Sequence, residues 1–245
     1  MDENPFPDLF THDVSIMDMA KQRVTCPDCG RKRMYFCYSC RMYVNNLQTV
    51  MPKVELPVQV HIIKHTKELD SKSTAVHAAL LAPTHCHIYS YPDIPEYNST
   101  SDVVVYPSED SMTVADWAKS WSSNSTAVNT CEHKQQPAVR TIIFIDCTWT
   151  QTHSIISSPQ LSGLVRISMC DYHTQFWRPN GAKRGATYLS TIEAIYFFLR
   201  EYHTTYLNLP YDAEYDNLLM IFKFMFLKIK KFHNGGDNLK AYRHK

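Results

Sequence analysis

Glycine is scarce in this chain, with six in 245 residues, at positions 30, 163, 181, 185, 235 and 236. None of them builds a G-x-G-x-x-G turn after a strand or a G-x-x-x-x-G-K loop, so neither a Rossmann dinucleotide site nor a P-loop is encoded. A G-x-S-x-G elbow and an H-E-x-x-H helix are missing as well. Apolar runs such as 103–106 and 142–145 have strand length, far below the roughly 20 residues of a membrane helix, so no membrane partner is expected. An excess of one charge is also lacking: 25 Lys/Arg face 24 Asp/Glu, and a net charge of +1 gives no global attraction to nucleic acid. The first twenty residues are rich in acids and hold no continuous apolar block, which fits neither a secretory leader nor an Arg-rich mitochondrial presequence. The expected location is the nucleus and/or the cytosol.

What is present is an ordinary globular composition, 44% hydrophobic and 20% charged, over a length that suits one large α/β domain with a small satellite. Charge is unevenly spread, since residues 223–245 carry seven Lys/Arg against one acid, Asp237. Such an end can gather RNA phosphates or keep a tail solvated, and composition does not choose between the two. Eight cysteines without a secretory leader read as thiols or metal ligands rather than as four disulfides. Of these, Cys86, Cys131, Cys147 and Cys170 are scattered and suit small buried residues or reduced thiols.

Periodicity divides the chain into a flexible start, 1–22, a four-cysteine module, 23–50, an α/β domain, 51–233, and a basic tail, 234–245. Within the domain, residues 54–65 (VELPVQVHIIKH) read as a strand. A helix is expected over 73–81, capped by Ser73 or Thr74 and followed by Pro83. Residues 85–101, dense in Pro, Tyr and Asn, read as turns. Then come a short buried strand over 103–105, a short helix over 114–121 and a surface insertion over 122–137. The apolar run 140–146 (RTIIFID) has the character of a strand buried on both faces of a parallel sheet, with a helix following over 150–157. A strand over 164–169, a helix over 190–201 opening on the capping box Ser190–Glu193, and a long helix over 215–232 complete the pattern. Strands alternating with helices imply an α/β fold with a mostly parallel sheet.

Cys26-Pro-Asp-Cys29-Gly and Cys37-Tyr-Ser-Cys40-Arg are two Cys-x-x-Cys knuckles separated by seven residues. Each tight turn aims two thiolates at one point, and two turns supply four sulfurs for a tetrahedral, closed, structural Zn²⁺ site. Four thiolates leave no open position, which excludes a catalytic zinc. Arg23, Arg31, Lys32, Arg33 and Arg41 surround the knuckles; they offset thiolate charge and offer a positive face for RNA. The alternative is a staple alone, for a segment too small to hold its own core.

Asp146 stands where the buried run 140–145 ends, and in open α/β sheets ligands gather beyond the carboxyl ends of strands. A carboxylate there can act as a base, orient a donor or cap a turn. Thr148 can cap the following helix. Trp149 can stack a flat ring, or pack to hold the strand–helix corner, which is the reading preferred from sequence.

The stretch Phe144-Ile-Asp-Cys-Thr-Trp-Thr-Gln-Thr resembles the signature of the DTW-domain family, the tRNA-uridine aminocarboxypropyltransferases. Further landmarks agree in order: the cysteine knuckles, Ile62-Ile-Lys-His65-Thr-Lys-Glu68 with Lys72-Ser73-Thr74, Tyr106-Pro107, Phe176-Trp-Arg178, Leu189-Ser-Thr-Ile-Glu-Ala194 and Tyr202-His203. The resemblance implies a SPOUT-like α/β fold with a C-terminal trefoil knot, and S-adenosylmethionine as cofactor. The implied reaction moves the 3-amino-3-carboxypropyl group to N3 of a tRNA uridine, expected at position 20 of the D-loop, leaving 5′-methylthioadenosine. DNA is not an expected partner.

Set against that chemistry, the motif is Asp146, Cys147, Thr148 and Trp149, with Asp146 expected to take the N3 proton. Tyr106, Pro107, Leu189, Ser190 and Thr191 are the expected cofactor contacts, the last two at a helix N-terminus suited to a carboxylate. Arg178, Lys183 and Arg184 are expected to hold RNA phosphates, with Arg178 also suited to the cofactor carboxylate. His65 and Glu68 fit either a ligand contact or a turn. A SPOUT methyltransferase and a non-catalytic zinc-containing RNA-binding protein remain the competing readings.

Overall fold

A computed structural model describes residues 8–123, 139–169, 171–175 and 188–234. Four two-residue strands come first: β1 (Val24–Thr25), β2 (Lys32–Arg33), β3 (Phe36–Cys37) and β4 (Met42–Tyr43). They form two antiparallel hairpins, β1 with β2 and β3 with β4, one for each cysteine pair. The larger elements follow as β5 (Gln59–His65), α1 (Ala75–Leu81), β6 (Cys86–Tyr91), β7 (Asp102–Val105), β8 (Met112–Thr113) and α2 (Val114–Ser123). After these come β9 (Thr141–Asp146), α3 (Trp149–Ile156), β10 (Val165–Ser168), α4 (Thr191–Glu201) and α5 (Met220–Asn234).

Strands β5 to β10 make one six-stranded sheet in the order β6-β5-β9-β7-β10-β8, every pair parallel. The apolar run that predicted a doubly buried strand is β9, flanked by β5 and β7, with Ile142, Ile143 and Phe144 all buried. Alternation along β5 and β9 sends Val60, Ile62, Ile142 and Phe144 into a large core shared with α1, α4 and α5. Ile63 and Ile143 go to the opposite face, into a smaller core with Ile155 and Ile156 of α3. Helices therefore cover both faces, as a wholly parallel sheet requires. The direction of the strands gathers His65, Tyr91, Val105 and Asp146 along one edge. Among the described residues, no helix is long and apolar enough to cross a membrane.

Several expected elements are shifted, each for a local reason. Strand β5 starts at Gln59 rather than 54, because Pro57 has no N–H for a ladder; Val54 instead donates its N–H to the Leu81 carbonyl at 2.7 Å. The expected turn region 85–101 contains β6, an edge strand. The long helix expected over 215–232 opens as a 3-10 turn, Asp216–Leu219. Buried Asp216 there accepts hydrogen bonds from the hydroxyls of Tyr196 (2.8 Å) and Tyr211 (2.6 Å) and from the Phe10 N–H (2.7 Å). The described part of the expected flexible start, from residue 8, thus docks on the domain, and the 3-10 helix Val14–Met19 buries Met17 completely. Most of the expected insertion, 124–137, lies outside the described residues, as does the tail beyond 234.

Candidate active site and cysteine cluster

Asp146 ends β9 as a buried residue, 6% exposed, with both carboxylate oxygens engaged. Ser73 Oγ donates to Oδ2 at 2.6 Å, and Thr191 Oγ1 donates to Oδ1 at 2.6 Å. Each donor belongs to a Ser-Thr pair at a helix start. Beside Ser73, Thr74 Oγ1 accepts the Ile192 N–H at 3.1 Å, so the first turns of α1 and α4 meet at this carboxylate. Burial pushes the Asp146 pKa up, and the two hydroxyl hydrogen bonds pull it back only in part. Lys64 is its register partner on β5 and forms an ion pair with Asp70 at 2.9 Å. Glu68 is also raised, first by burial and then by the Asp146 charge. The Cys147 thiol is pushed up by burial despite its contact with Thr152 Oγ1 at 3.4 Å, so it does not supply a ready thiolate.

Two helix starts flank the carboxylate. At α4, buried Glu193 accepts four hydrogen bonds: Ser190 N–H and Oγ, both at 2.7 Å, Gln175 N–H at 2.7 Å and Thr174 Oγ1 at 2.8 Å. The capping box legible as Ser190–Glu193 is therefore a closed junction. At α3, Gln151 Oε1 accepts the Thr148 N–H at 3.1 Å, a second box of the same kind. Here Thr148, Trp149 and Thr150 are all exposed. Trp149 is 55% exposed, more than the reading of it as a packing residue anticipates. Its ring meets that of Tyr188, itself 39% exposed, with centroids 5.3 Å apart and planes inclined by 42°.

Tyr106, half-buried, follows β7 on the same edge of the sheet, and Pro107 beside it is exposed. Leu189 is half-buried just before α4. The hydroxyl of Ser190 is committed to Glu193 and that of Thr191 to Asp146. The Glu68 N–H donates to the His65 carbonyl at 2.9 Å, which makes that pair a turn, while the His65 ring stacks on Tyr91. The expected RNA contacts Arg178, Lys183 and Arg184 lie outside the described residues. Sequence reasoning singled out Asp146 but not Ser73 and Thr191 as the donors that hold it. The available signal was the repetition of a Ser-Thr pair before two separate helices.

The four cysteine sulfurs, Cys26, Cys29, Cys37 and Cys40, lie within 4.8 Å of one another. A tetrahedron with metal–sulfur bonds of about 2.3 Å has edges of about 3.8 Å, so the cluster has the dimensions to hold a metal ion. The two knuckles are built alike: Gly30 N–H donates to the Cys26 carbonyl at 3.0 Å, and Arg41 N–H to the Cys37 carbonyl at 2.7 Å. Both turn residues have positive φ, +71° at Gly30 and 56° at Arg41, a conformation glycine adopts freely and arginine does not. The Arg41 guanidinium donates to the Ile88 carbonyl of β6 at 2.8 Å, which fastens the second knuckle to the sheet. Ser39, inside that knuckle, donates to Asp70 at 3.0 Å, the same Asp70 that pairs with Lys64. Arg33 lies over the Tyr38 ring at 3.8 Å. Arg31 donates to Ser39 Oγ at 3.3 Å, so three of the five basic residues near the cluster have structural partners. Phe36 is in the large core, so the module shares that core instead of standing apart.

The DTW-domain family matches residues 34–230. Among curated relatives, tRNA-uridine aminocarboxypropyltransferase 1 of Xenopus laevis is 40% identical over 233 aligned positions, covering 84% of this chain and 80% of the relative. The proteins of the same name from Mus musculus and Homo sapiens are 36% and 37% identical, covering 97% and 96% of this chain and 88% and 87% of theirs. No solved structure matches the chain.

Proposed function

The chain belongs to the DTW-domain family, and on that premise we propose that it transfers the 3-amino-3-carboxypropyl group of S-adenosylmethionine to N3 of a tRNA uridine, at position 20 of the D-loop. The observation that carries the proposal is a buried carboxylate of raised pKa at the carboxyl end of a central parallel strand, Asp146, held by two hydroxyls in a chain similar to enzymes of that name. Uridine N3 carries a proton at neutral pH, and Asp146 takes it; a raised carboxyl pKa suits that task better than an ordinary one. Ser73 and Thr191 fix the rotation of the carboxylate, and Lys64 and Asp70 complete its electrostatic surroundings.

S-adenosylmethionine, when bound, supplies a carbon made electrophilic by the neighbouring sulfonium. The donor set at this edge suits it in kind: half-buried Tyr106 and Leu189 offer apolar surface, Pro107 and Thr191 border it, and the carboxylates of Asp146 and Glu68 favour a nearby cation. Ser190 acts mainly through its place in the cap. The proposal extends to a SPOUT-like knotted fold, supported by the wholly parallel sheet, and to a nuclear and/or cytosolic enzyme using Arg178, Lys183 and Arg184 on phosphates.

Incubating purified protein with tRNA and S-adenosylmethionine, then analysing nucleosides by mass spectrometry, tests the reaction. Aminocarboxypropyluridine with released 5′-methylthioadenosine is expected. A methylated nucleoside with S-adenosylhomocysteine would make it a methyltransferase, and unmodified tRNA would remove the enzymatic reading. For the cysteine cluster we propose zinc. Elemental analysis should find one zinc per chain, and chelation should lower the melting temperature; protein that is folded and zinc-free would withdraw the site.

A further inference from the structure

Trp149 is 55% exposed at the corner between β9 and α3. The chain positions it at the first residue of α3, three residues after Asp146. Tyr188, its ring partner, stands three residues before Thr191, whose hydroxyl holds Asp146. Two exposed aromatic rings therefore meet, one three residues after Asp146 and the other three residues before the Thr191 that holds it. Both rings keep a substantial exposed surface. An indole face left in water beside a proton acceptor is a surface for a flat, uncharged ligand.

We propose that the exposed face of Trp149, in contact with Tyr188, is the platform on which the target uracil stacks. This rests on the transfer reading above and adds the residue that holds the base. The 5.3 Å between the ring centroids decides the arrangement. One stacked layer occupies about 3.4 Å, so a base between the two rings would need about 7 Å. The base therefore lies on Trp149 outside this pair, and Tyr188, inclined by 42°, packs against the indole. Thr148 and Thr150, exposed on either side and joined hydroxyl to hydroxyl at 3.1 Å, can serve the polar edge of the base. A uridine drawn out of the tRNA loop in this way keeps its N3 edge free for Asp146.

A binding cycle tests the proposal without turnover. Affinity is measured for wild-type protein and Trp149→Ala, each with an intact tRNA transcript and with one abasic at the uridine that mass spectrometry identifies as modified. Wild type should lose on the order of tenfold or more in affinity when the base is removed. Trp149→Ala should show that loss already with intact tRNA and lose little more with abasic tRNA. Trp149→Phe should restore most of the affinity, and an unchanged melting temperature in all variants would show that the exposed position leaves the fold intact. Equal losses for both tRNAs on Trp149→Ala, with uridine modification still observed in wild type, would overturn the platform while leaving the transfer reading in place. A wild-type protein that modifies no uridine would overturn both.

Discussion

The helices α3 and α4 begin with the same sequence device, Thr148-x-x-Gln151 and Ser190-x-x-Glu193, on either side of one carboxylate. Their surroundings differ completely. Glu193 is buried and receives four donors, while Gln151 receives one and is bordered by exposed Thr148, Trp149 and Thr150. A polar group that is fully partnered in the interior holds structure together, and one left half-open beside a reactive group is available to a ligand. The contrast separates a closed junction from an open one within one short stretch of sheet edge.

The largest way to break the comparison is on the scaffold side. Glu193→Ala leaves the buried Ser190 donors and the part-buried donors of Thr174 and Gln175 without an acceptor, and should destabilise the protein by about 3 kcal/mol in denaturant titration. The equivalent change at α3, Gln151→Ala, should cost less than about 1 kcal/mol. Equal effects would mean the two junctions are alike after all.

Next in size is the carboxylate between them. Asp146→Asn should lower single-turnover modification by about 10²- to 10⁴-fold. The same variant should be more stable than wild type near neutral pH. Burial makes the folded protein hold the Asp146 proton to a higher pH than the unfolded chain does. The stability this group contributes is therefore complete below the unfolded carboxylate pKa of about 3.9 and is lost as pH rises through the folded value. The advantage of Asn, measured by melting temperature against pH, should shrink toward acid; a constant or growing advantage would contradict a raised pKa.

A smaller effect concerns the hydroxyls. Ser73→Ala or Thr191→Val removes a hydrogen bond that holds the carboxylate pKa down, so the acid limb of the pH–rate profile should move to higher pH. An unmoved limb would mean that another group titrates in the reaction.

Much of this arrangement was legible because it is local. The run 140–146 announced a doubly buried strand, and the capping pattern at Ser190–Glu193 marked a real helix start. Strand β6 was hidden because its residues alternate Cys86, Ile88 and Ser90 with His87, Tyr89 and Tyr91, so its outer face is polar-aromatic rather than apolar and a Pro-rich stretch follows. The exposure of Trp149 was equally invisible, since an indole at a strand–helix corner reads the same whether covered or bare. The partners of Asp146 lie 73 and 45 residues away along the chain, and no spacing rule links positions so remote.

That remoteness has a consequence for folding kinetics. Three segments, around 73, 146 and 191, must arrive before the carboxylate has either of its hydroxyls in place. Parallel pairing of distant strands is slow, because loop-closure entropy is lost before contacts repay it. During refolding, helical signal should therefore return ahead of tRNA-modifying activity, and a chain cut before Thr191 would carry the whole motif yet assemble no site. Activity in this protein reports on completion of the fold, not merely on the presence of its signature.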